Sequence, residues 1–314
     1  MKKLLPGLLM SVALTAPAGA AERAVAITID DLPRGGDAQT APSLEAVRAM
    51  TQKLLRPFHE QRIPVTGFVN EGRAAAVFGA DGLREVLELW LDAGAELGNH
   101  SHSHLSINNV PLAEFTADIT RGEPIVRAAL EARGRTLRYF RHPFLFTGPT
   151  PEIKAGLQTF LDERGYVVAP VTFDNSDYMF AAAYTRPEYR ERARQEYVPY
   201  MEAVVASFEA ASDALAGREF PQILLIHANE LNADLMPELL AMFRSRGYTF
   251  VTLEQALADD VYRLPEEYVG RGGFSWIHRW TRTKGLPIKA EPEPPAWVGE
   301  AWSNRQQSPG GNAR

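Results

Sequence analysis

The chain has no cysteine in 314 residues. That single absence removes disulfide staples, thiolate metal sites and cysteine nucleophiles together. A metal ion would have to be held by His, Asp and Glu. Positive charge is scarce as well: 33 Lys and Arg stand against 39 Asp and Glu, for a net charge of -6. No basic run reaches the density of a nucleic-acid-binding surface, so no nucleic-acid partner is expected. Also absent are a Gly-x-Ser-x-Gly nucleophile elbow, a phosphate-cradling P-loop and a dinucleotide Gly-x-Gly-x-x-Gly. Histidine is rare too, seven in all, yet three fall within five residues, at His100, His102 and His104.

Long apolar runs are missing. The longest, Leu4 to Leu14, contains Pro6 and is too short to span a bilayer. It follows Lys2 and Lys3 and precedes Ala18-Gly19-Ala20, the order of a secretory signal peptide. We therefore expect residues 1–20 to be a signal peptide, with no stable membrane span, and an exported, periplasmic or extracellular protein.

From Ala24 onward, short apolar runs alternate with amphipathic helical patterns. "AVAITI", "PVTGFV", "AELGNH", "LRYFRH", "YVVAPVTF", "QILLIH" and "YTFVTL" read as strands. Between them, helices are expected over Ser43 to about His59, with Ser43 as N-cap, and over "GLREVLELWLDAG", closed by Gly94. "PLAEFTADITRGEPIVRAALEARG" reads as one helix, and a long helical stretch runs from Pro187 to Ala216. Continuously apolar strands joined by helices argue for a parallel sheet covered on its outside. The expected fold class is α/β, a distorted (β/α) barrel of about seven parallel strands; an open doubly wound sheet is the alternative. Residues 21–262 form the catalytic domain in this reading. Residues 263–314 are an aromatic and proline-rich extension that ends in a tail of disordered composition. Its tryptophans, Trp276, Trp280, Trp297 and Trp302, are expected to wrap the barrel rather than to serve as exposed stacking platforms.

Catalytic groups in such folds gather at the C-terminal ends of the strands. Five strands end on chemistry: Asp30-Asp31, His100, Arg141, Asp174 with Asp177 close behind, and His227. His100 and His104 would face one way if the segment coiled into a helical turn, with His102 off that face. Two imidazoles and a carboxylate from another strand would make a catalytic metal pattern, one protein acid binding the ion and its neighbour taking a proton from bound water. Capping carboxylates and a polar histidine turn are the bland readings of the same residues.

With these residues assembled, the chain resembles the polysaccharide deacetylase family (the NodB-homology group, carbohydrate esterase family 4) over roughly Arg23 to Asp260. Five motifs stand in the family's order: Thr28-Ile29-Asp30-Asp31; His100-Ser101-His102-Ser103-His104; Arg141-His142-Pro143; Asp174-Asn175-Ser176-Asp177-Tyr178; and "LLIH" ending at His227. The resemblance implies a NodB-type barrel in which Asp31, His100 and His104 bind a divalent metal, usually zinc. It implies Asp30 as general base, His227 as general acid, Arg141 orienting Asp30, and Asp177 orienting His227. It further implies substrate contacts from Pro143, Phe144, Tyr178 and Leu225, with a backbone N–H near Phe144 for the oxyanion. Tyr178 stands where the family has Trp, and the loop after Pro143 reads "FLFTGP"; both bear on substrate choice. The implied partner is an acetylated polysaccharide or oligosaccharide, of peptidoglycan or chitin type. Alternatives are an O-acetyl ester or small amide or imide hydrolase on the same scaffold, or a glycan-binding protein without turnover. The sequence says nothing about oligomeric state.

Overall fold

The computed structural model describes residues 23–36 and 43–304. The expected signal peptide and the last residues of the tail lie outside the described residues.

Seven strands form one parallel sheet: β1 (Ala24–Leu32), β2 (Val65–Val69), β3 (Glu96–Asn99), β4 (Tyr139–Phe140), β5 (Val167–Val168), β6 (Gln222–His227) and β7 (Thr249–Phe250). Their order is β5-β4-β3-β2-β1-β6, with β7 on the first residues of β1. The sheet curls back on itself. Beyond β5 the chain crosses to β6, where Phe173 bridges Leu224 and the Leu225 N–H donates to the Phe173 carbonyl at 3.1 Å. This is the curled α/β barrel expected from the alternating runs, not an open doubly wound sheet.

Each crossover carries helix: α1 (Leu44–Gln61), α2 (Glu71–Asp92), α3 (Leu112–Arg121), α4 (Pro124–Glu131), α5 (Pro151–Glu163), α6 (Asp177–Tyr184), α7 (Pro187–Ala216) and α8 (Glu230–Ser245); α9 (Leu253–Leu257) follows the last strand. Ser43 caps α1 as expected, its Oγ accepting from the Ala46 N–H at 3.2 Å. The single helix expected over 111–134 is two. Pro124 has no N–H to donate and blocks continuation of α3, so the chain bends at Gly122-Glu123 and restarts with Pro at the first turn of α4. Helices α7, α8, α1, α2 and α4 pack side by side around the sheet. No helix among the described residues is long and apolar enough to cross a membrane.

Strand alternation decides what the curl encloses. Val25, Ile27 and Ile29 of β1 join the large core beneath the helices. Ala26, Phe68, Tyr139, Ala169 and Ile223, closed off by Leu253 and Ala256 of α9, make a separate apolar layer inside. Two residues further along the same inward faces come Thr28, Arg141 and Leu225, and then Asp30 and His227. The apolar floor therefore leads directly to titratable groups at the rim.

The segment after Arg263 packs into the large core. It forms α10 (Trp276–Thr283) and α11 (Ala296–Asn304), and Trp276, Trp280 and Trp297 are all buried there. Three of the four tryptophans expected to wrap the barrel are thus packed against it, whereas Trp302 is only partly buried, its ring 5.0 Å from that of Tyr178.

Candidate active site

β1 breaks its ladder where the chemistry begins. Ile29 pairs Gly67 of β2, but the next pair is Leu32 with Val69, so the register slips across Asp30-Asp31. Asp31 takes a φ of 64°, a left-handed conformation rare outside Gly, Asn and Asp. Adjacent strand residues ordinarily face opposite ways; this irregularity turns both carboxylates to the same rim.

Asp31 meets the histidine segment there. Its Oδ1 lies 3.7 Å from His100 Nε2 and 3.6 Å from His104 Nε2. The three ligand atoms lie within 4.8 Å of one another. Two ligand atoms held at about 2.05 Å from a tetrahedral ion stand about 3.4 Å apart, so closing the two Asp31–His separations needs shifts of a few tenths of an ångström. Further features fit a cation. Asp31 Oδ1 is buried with no hydrogen-bond partner. His100 Nδ1 is 2.8 Å from the Arg141 carbonyl, where it can only donate, which leaves Nε2 as the free lone pair. Burial pushes the His104 imidazole down to about 4 and His100 well below its ordinary range, so both rings stay neutral. Asp31 is the reverse case: burial opposes its charge, but His104, Arg73, His227 and His100 outweigh it and keep the carboxyl ionised.

The histidines converge differently from the expectation. No helical turn forms between them. His100 extends β3 inward, and two left-handed residues, Ser101 (φ 65°) and His104 (φ 54°), fold the chain back so that the rings meet edge to face at 4.9 Å. The turn is braced from outside. The Asn70 side chain donates to the His100 carbonyl at 2.5 Å, the His102 N–H to the Asp118 carbonyl at 3.1 Å, and the His104 N–H to Ser101 Oγ at 3.1 Å. His102 bonds Ser103 Oγ at 3.0 Å and stays outside the ligand set, as expected.

Asp30 sits beside this set with Oδ2 at 3.7 Å from His100 Nε2. Both its oxygens face Arg141 Nη1 at 3.2 Å. Arg141 is fully buried, and it places Nε on the Ala169 carbonyl at 2.8 Å and Nη2 on Thr28 Oγ1 at 2.9 Å, with its face on the Phe68 ring. Burial raises the Asp30 carboxyl to about 6 against the lowering effect of Arg141 and His227.

Across the rim, β6 ends at His227. Asp177 holds that ring, its Oδ1 2.7 Å from His227 Nδ1, while its Oδ2 accepts from the His227 N–H at 2.9 Å and from Asn232 at 2.8 Å. Burial disfavours the imidazolium, but Asp177 with Asp31 and Asp30 overrides it and lifts His227 to about 10. The ring is thus a cation at neutral pH with Nε2 free to donate.

Among the expected substrate contacts, Phe144 is about half exposed and lies edge-on to His104 at 4.3 Å. Tyr178 is 42% exposed, with its ring 6.2 Å from His227 and 5.0 Å from Trp302 of α11. Pro143 and Leu225 are buried, so they back the rim rather than line its open face. Arg73, Asn70 and Asn232 were not singled out from the sequence, and Thr28 only as the first residue of a motif, without a role. Thr28 carried a usable signal, two residues before Asp30 on the same face. The others reach the site from helix starts, and nothing local marks them.

Residues 18–151 match the family model described as polysaccharide deacetylase, a stretch that holds Asp30, Asp31, His100, His104 and Arg141. No curated protein sequence matches the chain. Among solved structures, the chain is similar to a family 4 carbohydrate esterase from Streptomyces lividans, in complex with acetate, at 18% identity and a TM-score of 0.48, over 76% of this chain and 96% of that one. It is similar to a peptidoglycan deacetylase from Bacillus subtilis at 20% identity and a TM-score of 0.48, over 77% and 94%. It is also similar to a pseudoenzyme of the same esterase family from Bacillus anthracis at 15% identity and a TM-score of 0.49, over 76% and 66%. By its family-model match over residues 18–151, the chain is similar to the polysaccharide deacetylase family, and Asp31, His100 and His104 of that stretch gather at one rim.

Proposed function

We propose that the protein is a metal-dependent hydrolase that removes acetyl groups from N-acetylated glycans of peptidoglycan or chitin type. Asp31, His100 and His104 would hold a divalent ion, zinc by the character of a His/His/Asp donor set. When bound, the ion would polarise the acetyl carbonyl and lower the pKa of water.

The chain's own residues would supply the proton transfers. Asp30, ionised above about pH 6, would take a proton from the attacking water as its oxygen bonds to the acetyl carbon. Arg141 would keep that carboxylate charged and aimed, since its other donors are already committed to Ala169 and Thr28. As the amide C–N bond breaks, His227 would pass its Nε2 proton to the departing nitrogen, leaving a free amine and acetate. Asp177 would accept from Nδ1–H and so hold the ring with its Nε2 proton turned outward for this transfer.

One arrangement carries the reading: the Asp30 carboxyl held by Arg141 and the His227 ring held by Asp177 flank a single His/His/Asp set of two neutral imidazoles and one carboxylate. Amide hydrolysis needs an acid and a base of separated pKa at once, whereas glycan binding alone needs neither. The test is acetate release by the purified, zinc-loaded protein from N-acetylglucosamine oligomers and from acetylated xylan. Release from the oligomers is expected. Release from xylan alone would replace the reading by an ester hydrolase, and release from neither would leave a binding protein. A substrate of this class is consistent with export of the chain, which we also propose.

A further inference from the structure

We infer that Arg73 is a positioning residue for the metal ligand Asp31, committing one carboxylate oxygen so that the other is presented to the ion. The inference rests on the metal reading above and extends it to a residue outside the five motifs.

Arg73 Nη1 lies 3.0 Å from Asp31 Oδ2, in a charge contact rather than an aligned hydrogen bond. The two oxygens of Asp31 therefore differ: Oδ2 faces a guanidinium, while Oδ1 is buried, unpartnered and turned to the two imidazoles. A carboxylate free of this contact could rotate or offer both oxygens; with Arg73 in place it is poised to bind through one. The backbone cannot fix this by itself, because the φ of 64° sets where Asp31 begins but not its side-chain rotation.

Arg73 is itself placed by the segment it serves. It lies in the first turn of α2, and the preceding residue, Gly72, donates its N–H to the His102 carbonyl at 2.9 Å. A Cβ at Gly72 would stand 2.8 Å from the His102 carbonyl oxygen, so a side chain there would push the two segments apart. Asn70, two residues before Gly72, donates to the His100 carbonyl. The start of α2 is thus stitched to the turn that bears both imidazoles, and the guanidinium moves with the ligand set rather than independently. The Arg73 side chain remains 31% exposed, so removing it opens no core cavity. Outer partners of metal ligands orient them in this way, and their loss typically weakens metal binding about 10- to 100-fold.

The test compares zinc binding, by calorimetry on chelator-treated protein, for wild type, Arg73→Ala, Arg73→Lys and His104→Ala, with the melting temperature of each metal-free form. The expected result for Arg73→Ala is one site per chain with Kd raised about 10- to 100-fold. Its metal-free melting temperature should be unchanged, and Arg73→Lys should recover part of the affinity. A fold-wide role would instead lower metal-free melting. Zinc bound as tightly by Arg73→Ala as by wild type, while His104→Ala loses it, would overturn the Arg73 assignment and leave the metal reading standing. No zinc bound by wild type would overturn both.

Discussion

At the scale of single residues, the proposed function gives the neighbours Asp30 and Asp31 different duties, which one substitution should separate. Asp30→Asn keeps the shape and the contacts around Asp31 but cannot accept a proton. It should retain zinc, by metal analysis, and lose turnover by about 10²-fold or more in the acetate-release assay. Retained turnover would remove Asp30 as the base. The His227–Asp177 pair makes a pH prediction. His227 is raised from its ordinary value near 6.5 to about 10, so the folded state holds this proton more tightly than the unfolded chain. The resulting stability is fully present below pH 6.5 and is lost as pH rises through 10. In Asp177→Asn the deficit in melting temperature relative to wild type should therefore be largest below pH 6.5 and should shrink toward pH 10. The alkaline limb of kcat/KM should move down in the same variant, toward the ordinary histidine value, because the acid now deprotonates earlier.

At the scale of elements, helices hold the loops that the strands only begin. The C-terminus of α3 abuts the histidine turn so closely that a Cβ at Gly122 would stand 2.7 Å from the Ser101 carbonyl carbon and 2.8 Å from the His102 nitrogen. Backbone cannot swing aside as a side chain can, so Gly122→Ala should displace the turn. We expect about 1–3 kcal/mol of lost stability by denaturant unfolding, together with weakened zinc binding. Normal zinc affinity in this variant would show that the turn adapts. On the opposite side, α6 carries Asp177 and Tyr178 and is backed by α11 through Trp297. That indole stacks on Tyr189, meets Phe180 edge-on, lies under Arg192 and donates Nε1–H to Glu196 at 2.7 Å. Trp297→Ala should cost about 3–5 kcal/mol, read as a lower unfolding midpoint.

At the scale of the whole molecule, a metal held by β1 and the segment after β3 should tie together parts of the chain some seventy residues apart. An ion that binds only the folded state stabilises it by about 2.7 kcal/mol at a hundredfold excess over Kd, or roughly 5–10 °C of melting temperature in a domain of this size. Zinc added to chelator-treated protein should raise the melting temperature by about that amount in wild type. His104→Ala should not respond. An equal shift in both would place the ion elsewhere.

Much of this was legible in the sequence, because strand ends are local. Apolar runs that stop at Asp30, His100, Arg141 and His227 announce a parallel sheet with chemistry on one rim, since a buried strand tolerates such groups only where it ends. Those stops brought the candidate residues together, and the resemblance to the deacetylase motifs supplied the roles proposed for them. What only the tertiary structure decided is orientation. A period of two would put Asp30 and Asp31 on opposite faces; the register slip against β2 and a left-handed Asp31 bring them together, and both depend on a neighbouring strand. The histidines meet through a turn braced by Asn70 and α3, where helical spacing had suggested a coil. Arg73 and Asn232 arrive from helices whose starts are set by packing, and no spacing along a chain records which of its distant residues will stand three ångströms apart.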